Sequence, residues 1–410
     1  MVSRKKYILT IIVVVFVTAF LTLSLGNVFL VEIGQKVVLS EEAYTEMKDM
    51  YEKYAKQESV MQIAKNDFLY EADEDVMLEG ALEGTLKALG DPYTQYLSEE
   101  DFAALMQDTE GSYKGIGVYI TASDDDKILI VSPIEDTPAE KAGLKTGDKI
   151  IRINGTEYTA DQIDAAVNIM KGMPGTSVTL TIQRENAEGS QEVFEVVVNR
   201  EKIRIKTIKP AMLDDSIGYI RITTFDMQTA DDFKVAYEDL KTKGMNSLVI
   251  DLRYNPGGII DATVAISDLF MGEGVVTYTK TKAGEIEYFK SDKNMENIPI
   301  VLLINEGSAS ASEIMAGALK DTGRATLIGT KSFGKGIVQR VKRFGNEGEG
   351  IKMTVSEYFT PNGINIHGIG IEPDIEVLLP EDAPGYGVDF YETDNQLQKA
   401  VEVLKEKVNQ

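Results

Sequence analysis

The sequence has 410 residues, is 43% hydrophobic and carries 66 acidic against 42 basic residues, which gives a formal net charge of -24. This length can bury a large core and suits two or three globular units, while the acidic balance disfavours nucleic acid as a partner, because phosphates are bound by clustered positive charge. With no cysteine and only one histidine, His367, the chain excludes disulfides, thiol catalysis and a histidine cluster for zinc.

The start of the chain has the pattern of a membrane anchor. Basic residues at 4–6 precede an uncharged, apolar run at 7–31. As a helix, this run is long enough to cross about 30 Å of hydrocarbon, with the basic flank inside. Residues 24–26 form a poor cleavage site, which favours a retained signal anchor over 1–31 rather than a cleaved signal peptide. We therefore expect a single-pass protein of the cell membrane whose catalytic portion lies outside the cytoplasm.

A helical N-terminal region is predicted for 32–106. Its first part has an apolar stripe at helical spacing, formed by Met47, Met50, Tyr51 and Tyr54. A second helix is expected at 75–89, because Gly90, Asp91 and Pro92 follow it as helix-ending residues. The aromatic segment at 93–97 is expected to pack against the helix ends.

The pattern changes to short strands and turns at 107–200. Strands are predicted at 128–131, 177–183 and 192–198, where β-branched residues alternate or cluster between glycines. These features indicate a compact module of strands and short helices. A basic stretch followed by Pro210 is the expected boundary to the next unit.

An α/β unit is predicted for 201–380, because strands there alternate with helical segments. The apolar runs at 248–252 and 300–304 have the length of buried strands, and both lead into glycine-bearing loops. Loops at the carboxyl ends of such strands are where α/β units place their chemistry. The final segment, 381–410, is expected to contain an amphipathic helix at 395–408.

Ser310 lies between a predicted buried strand and a helix expected at 313–320. At such a junction, unpaired backbone N–H groups and the helix dipole stabilise an alkoxide or an acyl oxyanion. On its own, however, this pattern favours a simple helix cap, since serine is a preferred N-cap residue.

Lys335 follows another predicted strand, 326–329, and stands between Gly334 and Gly336. The glycines allow close approach to another backbone, and a lysine buried beside a serine is the base that remains to a protein without a usable histidine. A solvated lysine in a glycine-rich turn is the commoner structural alternative. A phosphate-binding loop is set aside, because the Gly-Lys-Gly sequence lacks the P-loop spacing.

Together, the segments at 251–258, 307–314 and 332–339 resemble the C-terminal processing peptidases, also called tail-specific proteases. The separation of serine and lysine, 335 − 310 = 25, matches the spacing in that family. The resemblance extends to segments at 90–96, 360–363 and 370–374. It therefore covers nearly the whole chain after the predicted anchor.

The resemblance implies a catalytic role for five residues. Ser310 attacks the scissile carbonyl, Lys335 takes the hydroxyl proton, and Gln339 orients the lysine. The N–H groups of Ala311 and Gly257 form the oxyanion hole.

The choice between Gly257 and Gly258 as oxyanion donor stays open from sequence. Two departures from the family pattern are visible. Thr330 stands where many members carry Glu, and Tyr254 stands where Asn is common.

The segments at 113–120 and 138–155 resemble the carboxylate-binding loop, central helix and following turn of a PDZ domain. PDZ domains add a substrate strand to a sheet edge and hold its terminal carboxylate on backbone N–H groups. The implied peptide-binding residues are Tyr113, Gly115, Ile116, Gly117 and Val118.

These patterns predict a multidomain α/β protein with a signal anchor, a helical region, a PDZ domain at 107–200 and a protease core of the ClpP/crotonase-like type. The implied function is a membrane-anchored serine endopeptidase that binds polypeptides with free C-terminal tails and needs no metal or organic cofactor. A homo-oligomer is a possible state. The alternatives are a catalytically silent PDZ scaffold that gathers extracytoplasmic partners and an acyl-transfer enzyme for a small molecule.

Overall fold

The computed structural model describes residues 3–25, 31–33, 36–38, 40–186, 189–214, 216–345 and 348–408. The chain divides into two compact units, residues 1–88 and 89–410. The first unit is mainly helical, and the second contains all of the candidate site residues.

The described residues of the first unit form three helices and one short antiparallel strand pair. Serine and aspartate begin the second and third helices: Ser40 Oγ accepts a hydrogen bond from Ala43 N at 3.1 Å, and Asp73 Oδ1 accepts one from Asp75 N at 2.9 Å. The strand pair departs from the all-helical region predicted there. The elements are α1 (Arg4–Leu25), β1 (Val31–Ile33), β2 (Lys36–Val38), α2 (Glu41–Asp67) and α3 (Glu74–Lys87).

The predicted signal anchor is not supported by this fold. Helix α1 includes the cations Arg4, Lys5 and Lys6 in its first turn and ends at Leu25. Across the described residues, no helix combines the length and apolarity that crossing a membrane requires. Residues 26–30 of the predicted run lie outside the described residues.

The PDZ-like part of the second unit is built on an antiparallel sheet of order β10-β9-β7-β6-β5, in which β8 pairs with β7. Strand β5 is therefore an edge strand, and β4, which precedes it in the chain, pairs separately with β11. The three strands predicted from sequence are confirmed as β6, β9 and β10. The elements are β4 (Ser112–Gly115), β5 (Val118–Ala122), β6 (Ile128–Pro133), α5 (Pro138–Lys141), β7 (Lys149–Ile153), β8 (Thr156–Glu157), α6 (Ile163–Met170), β9 (Ser177–Glu185), β10 (Gln191–Asn199) and β11 (Glu201–Arg204).

The core of the second unit is a six-stranded sheet of order β12-β13-β14-β17-β18-β21. All neighbours pair in parallel except β12 with β13, which confirms the largely parallel sheet predicted from sequence. Strands β14 and β17 are wholly buried, as apolar runs predict. The strands are β12 (Ile208–Met212), β13 (Ile217–Ile222), β14 (Ser247–Asp251), β17 (Ile300–Ile304), β18 (Ala325–Gly329) and β21 (Ile375–Glu376).

A second, antiparallel sheet has the order β16-β15-β20-β19, and a short strand at Gln95–Leu97, β3, pairs with β20. Part of the aromatic segment at 93–97 therefore joins a sheet, which the sequence did not predict, and its packing against helix ends stays a prediction. The sequence missed this contact because β3 and β20 are far apart in the chain. The remaining strands are β15 (Gly274–Thr281), β16 (Ile286–Ser291), β19 (Ile337–Arg343) and β20 (Gly350–Phe359).

Helices cover both faces of the parallel sheet. One face packs against α7, α8 and α9 around Phe233, Ile266 and Met315, and the other packs against α10 around Leu397. The helices are α4 (Glu99–Glu110), α7 (Thr229–Thr242), α8 (Ile260–Asp268), α9 (Ala311–Asp321) and α10 (Asn395–Val408). Because β14, β17 and β18 are neighbours, the loops after their carboxyl ends, 252–258, 305–310 and 330–336, meet at one edge of the sheet.

The first of these loops is fixed by a buried ion-pair network. The Arg253 side chain is only 1% exposed, and its Nη2 lies 2.7 Å from Asp251 Oδ2 and 2.8 Å from Asp394 Oδ2. Arg253 Nη1 also donates to Gln396 Oε1 at 2.8 Å, and Tyr219 Oη donates to Asp251 Oδ2 at 2.8 Å. Buried charges persist only when paired and hydrogen-bonded, so this network ties loop 252–258 to the start of α10.

Replacing Asp394 with Asn should lower the free energy of unfolding by about 3 kcal/mol, because Arg253 is left buried with less compensating charge. Burial raises the pKa of Asp394, but the hydrogen bonds and charge of Arg253 outweigh it and bring that pKa below its ordinary value. The stabilisation is therefore present above the unfolded pKa and is lost as pH falls through the folded one. Denaturant unfolding of wild type and variant at neutral pH measures the loss of stability. The same measurement below about pH 4 shows whether the difference between the two proteins shrinks. The exposed Asp382→Asn is the matched control, and equal unfolding midpoints for the two variants would contradict this account.

Candidate active site

Ser310 immediately precedes α9 and has a strained backbone. Its φ and ψ are 53° and -114°, a region that non-glycine residues rarely adopt. Two contacts hold this conformation: Ser310 N donates to Glu313 Oε2 at 2.9 Å, and Tyr358 Oη donates to Ser310 O at 3.2 Å. The serine is thus held at the sharp turn between strand and helix, as the sequence predicted for its position.

Glu313 is the residue that connects Ser310 to the loop of Lys335. Its side chain is wholly buried, and its carboxylate accepts hydrogen bonds from four donors in two loops. Besides Ser310 N, these are Ser332 Oγ at 2.6 Å, Gly334 N at 2.7 Å and Lys335 N at 2.8 Å. Sequence reasoning missed this role, although a glutamate three residues after a serine at a helix start is the pattern of a capping box.

Lys335 is half-buried and lines the same cavity as Ser310. Its Nζ lies 4.6 Å from the centre of the Tyr93 ring, and no hydrogen bond in the described part of the chain joins it to Ser310 Oγ. Burial lowers the pKa of Lys335 and the positive charge of Lys352 lowers it further, while Asp91 opposes the shift. The direction agrees with the expectation that a catalytic lysine is partly desolvated.

The segment that carries Tyr93 is fixed against β20 by hydrogen bonds. Asp91 Oδ2 accepts from Thr94 Oγ1 at 2.6 Å, Asp91 Oδ1 accepts from Tyr93 N at 3.1 Å, and Thr94 Oγ1 accepts from Thr354 N at 3.1 Å. An ammonium over an aromatic face is attracted by the ring quadrupole. The segment therefore forms one wall around Lys335, a function that the sequence did not reveal.

Gln339 lines the cavity, and its amide is hydrogen-bonded to the neighbouring strand β20. Gln339 Nε2 donates to Thr354 Oγ1 at 3.4 Å. Among the described residues, it makes no hydrogen bond to Lys335, so its orienting role stays a prediction.

The two candidate oxyanion donors from loop 252–258 differ in the hydrogen bonding of their backbone N–H groups. Gly257 N donates to Asn255 Oδ1 at 2.9 Å, whereas Gly258 N makes no hydrogen bond in the part of the chain that the structure describes. Ala311 is the first residue of α9, where a backbone N–H has no carbonyl partner within the helix. A Cβ on Gly257 would lie 2.8 Å from Ala311 N, so only glycine permits this approach of the two loops.

Cross-links between the first two loops keep them in register. Asn255 O accepts from Ala309 N at 3.0 Å and from Ser312 Oγ at 2.9 Å. Ser308 Oγ donates to Leu252 O at 2.8 Å. These bonds hold Gly258 and Ala311 on the same side of the cavity.

The departures from the family pattern have local partners. Tyr254 has a φ of 57°, where asparagine or glycine is more usual, and its ring centre lies 5.1 Å from that of Tyr386. Tyr254 N also donates to Asn305 Oδ1 at 2.8 Å. Thr330 Oγ1 donates to Glu306 Oε2 at 3.0 Å.

The cavity that contains Ser310 and Lys335 has a volume of about 560 Å³. Apolar side chains form much of its wall, and they include Phe225, Ile259, Ile314 and Ile337. Such a cavity accepts a side chain next to a reacting carbonyl, and the unbonded N–H groups nearby are suited to a developing oxyanion.

A second cavity, of about 290 Å³, lies along edge strand β5 of the PDZ-like part, with α6 on its other side. Burial raises the pKa of Tyr113 in it to about 12. Lys171 is a further lining residue that sequence reasoning missed: its Cα lies 3.7 Å from where a Cβ on Gly115 would be. All five residues predicted to bind peptide line this cavity, namely Tyr113, Gly115, Ile116, Gly117 and Val118.

Comparisons with known proteins agree with this architecture. The sequence matches the family models "Peptidase family S41" over 216–377, "PDZ domain" over 129–184 and "Activating protease CtpB N-terminal domain" over 25–101. It is 36% identical to the carboxy-terminal-processing protease of Bartonella bacilliformis over 374 residues, which cover 89% of this chain and 83% of the relative. It is 35% identical to the carboxy-terminal processing protease CtpA of Bacillus subtilis over 331 residues, which cover 80% and 70%.

Among solved structures, the photosystem II D1 C-terminal processing protease is 28% identical, with a TM-score of 0.48, and the match covers 82% of this chain and 88% of that one. The identities and coverage of the two curated relatives establish the family. The chain therefore belongs to the carboxy-terminal processing proteases of peptidase family S41, which makes it a serine protease with a PDZ domain.

Proposed function

We propose that this protein is an endopeptidase that binds the C-terminal tails of polypeptides in its PDZ groove and hydrolyses peptide bonds with Ser310 as nucleophile and Lys335 as general base. The observation that carries the proposal is that both side chains line one cavity, with Ser310 on a strained turn and Lys335 partly desolvated. Strained residues cluster at active sites, and a lysine with a lowered pKa suits proton abstraction.

In the proposed reaction, the proton of Ser310 Oγ passes to the neutral amine of Lys335 as Oγ attacks the carbonyl carbon. The carbonyl oxygen becomes an oxyanion, which Ala311 N–H and a glycine N–H of loop 252–258 stabilise. The lysine ammonium then gives its proton to the leaving amine, and an acyl-enzyme remains. Water then attacks this ester while Lys335 takes a proton from it. The lysine ammonium returns that proton to Ser310 Oγ as the ester bond breaks, which restores the serine and releases the new carboxyl terminus.

The present geometry requires one movement before this chemistry. Lys335 Nζ, which lies over the Tyr93 ring, has to come within hydrogen-bond distance of Ser310 Oγ. Catalytic hydrogen bonds often form only in the complex with substrate, so the arrangement is compatible with the proposal. For the oxyanion, Gly258 is the better-placed donor in this conformation, since Gly257 N is already bonded to Asn255. The location of the protease outside the cytoplasm and its homo-oligomeric state stay predictions.

Ser310→Ala should abolish cleavage of an unstructured polypeptide such as β-casein while the thermal unfolding midpoint stays close to that of the wild type. The nucleophile is lost, whereas the buried turn keeps its backbone hydrogen bonds to Glu313 and Tyr358. Gel-based cleavage assays and thermal unfolding measure the two properties. Undiminished cleavage by the folded variant would remove Ser310 from the mechanism and reopen the PDZ scaffold as an alternative.

Glu313→Gln should reduce kcat by about 100-fold, because a buried amide cannot accept from all four donors and each unsatisfied donor costs about 1–3 kcal/mol. We expect a parallel loss in the rate at which Ser310 reacts with a fluorophosphonate, since the loop geometry changes before substrate binds. The control is Glu306→Gln, whose carboxylate is exposed on the same loop. A Glu313→Gln variant with the wild-type labelling rate would show that Glu313 does not position the nucleophile.

Peptides with a free apolar carboxyl terminus should be cleaved faster than the same peptides with an amidated terminus. The loop at 113–117 and Lys171 line this groove, and backbone N–H groups and a lysine ammonium are both suited to a carboxylate. Lys171→Ala should raise KM for the free peptide about tenfold and leave KM for the amidated peptide unchanged. Lys141→Ala, an exposed change outside the groove, is the control. Equal cleavage of free and amidated peptides at subsaturating concentration would rule out tail capture.

A further inference from the structure

A second lysine lies in the cavity of Ser310 and Lys335. Lys352 belongs to β20, where it stands opposite Val341 of β19. It is half-buried and lines the cavity, as Lys335 does. Among the described residues, no carboxylate lies within ion-pair distance of Lys352. Its charge is therefore not neutralised by a direct ion pair.

The groups that face Lys335 leave its amine without a direct counter-ion. Asp91 faces it from the segment before β3, but its carboxylate is bonded to Tyr93 N and Thr94 Oγ1. Glu313 faces it from α9, and that carboxylate is occupied by four donors from two loops. In the described part of the chain, neither carboxylate forms an ion pair with Lys335.

The remaining neighbours do not supply a counter-ion either. Tyr93 offers an aromatic face, and the exposed His367 belongs to the turn that packs on Gly336. Three further carboxylates line other parts of the cavity, from α4, α8 and β16: Asp108, Asp261 and Glu287. Lys335 is thus a partly desolvated lysine with a second cation nearby.

We propose that Lys352 is a positioning residue for the reaction, whose positive charge holds Lys335 in the neutral form that accepts the proton of Ser310. Two cations in a partly desolvated cavity repel each other. The state in which Lys335 is neutral is therefore favoured over the state in which both lysines are charged. Burial lowers the pKa of Lys335 most, and the charge of Lys352 lowers it further, while the carboxylates of Asp91 and Glu313 act in the opposite direction. This inference rests on the proposed role of Lys335 as general base.

The test is the pH dependence of kcat/KM between about pH 6 and 10, a range that lies below the ordinary lysine pKa of about 10.4, for a peptide without groups that titrate there. The wild type should show an ascending limb that reports the ionisation of Lys335, followed by a plateau. Lys352→Met should move this limb to higher pH and lower activity below it by about tenfold, which corresponds to a shift of about one pH unit, with the same plateau. Lys352→Gln should give the same result and serves where the methionine variant folds poorly.

Two controls separate charge from packing and from net charge. Lys352→Arg keeps the cation, so its limb should stay at the wild-type pH. Lys342→Met removes one charge from the exposed side of the adjacent strand, and its limb should also stay in place. Thermal unfolding of each variant shows that the fold is retained.

Three results would overturn the proposal: an unmoved limb in Lys352→Met and Lys352→Gln, a loss of activity at every pH, or a raised KM with an unmoved limb. The second result would make Lys352 a direct participant, and the third would make it a substrate-binding residue. Lys335→Arg distinguishes these failures from a failure of the proposed function. It should be inactive at all pH values because guanidinium stays charged, and substantial turnover by it would show that Lys335 is not the base, whatever Lys352 does.

Discussion

The arrangement of the active site depends on one buried carboxylate, that of Glu313. A wholly buried charge is tolerated only when hydrogen bonds replace its lost hydration, and here four donors do so. Because one donor is Ser310 N and another is Lys335 N, satisfying the carboxylate also sets the distance between the two loops. The hydrogen bonds that keep the charge buried are thus also the ones that hold Ser310 and Lys335 in one cavity.

The opposite side of the site is held by a second buried charge. Arg253 joins Asp251, at the end of β14, to Asp394, before α10, and loop 252–258 begins between these fixed points. That loop then bonds to the serine turn through Asn255 O. The helix α10, which lies far from Ser310 in sequence, therefore supports the glycines of loop 252–258. Weakening this network would change both the stability of the fold and the loop that carries these glycines.

The local part of this site was predictable from sequence. A serine between a buried strand and a helix, and a lysine between two glycines after the next strand, are patterns set within about ten residues, and the order of parallel strands then brings them to one edge. The contacts of Tyr93 and Lys352 were not predictable in this way. They depend on the pairing of β3 with β20 and on the direction of side chains in β20, which are tertiary relations between distant segments. Gln339 illustrates the same limit, because its partner, Thr354, is set by the register of β19 and β20.

The position of Lys335 on Tyr93 links its protonation to its location. An aromatic face attracts an ammonium strongly and a neutral amine weakly, so this contact stabilises the charged lysine at 4.6 Å from the ring centre. Burial and the charge of Lys352 act in the other direction, because both favour the neutral amine. Loss of the proton therefore weakens the contact with Tyr93. It also gives the lysine nitrogen a lone pair that can accept a hydrogen bond from a serine hydroxyl. In a site built this way, the form of Lys335 that is free to move toward Ser310 is the form that can act as a base.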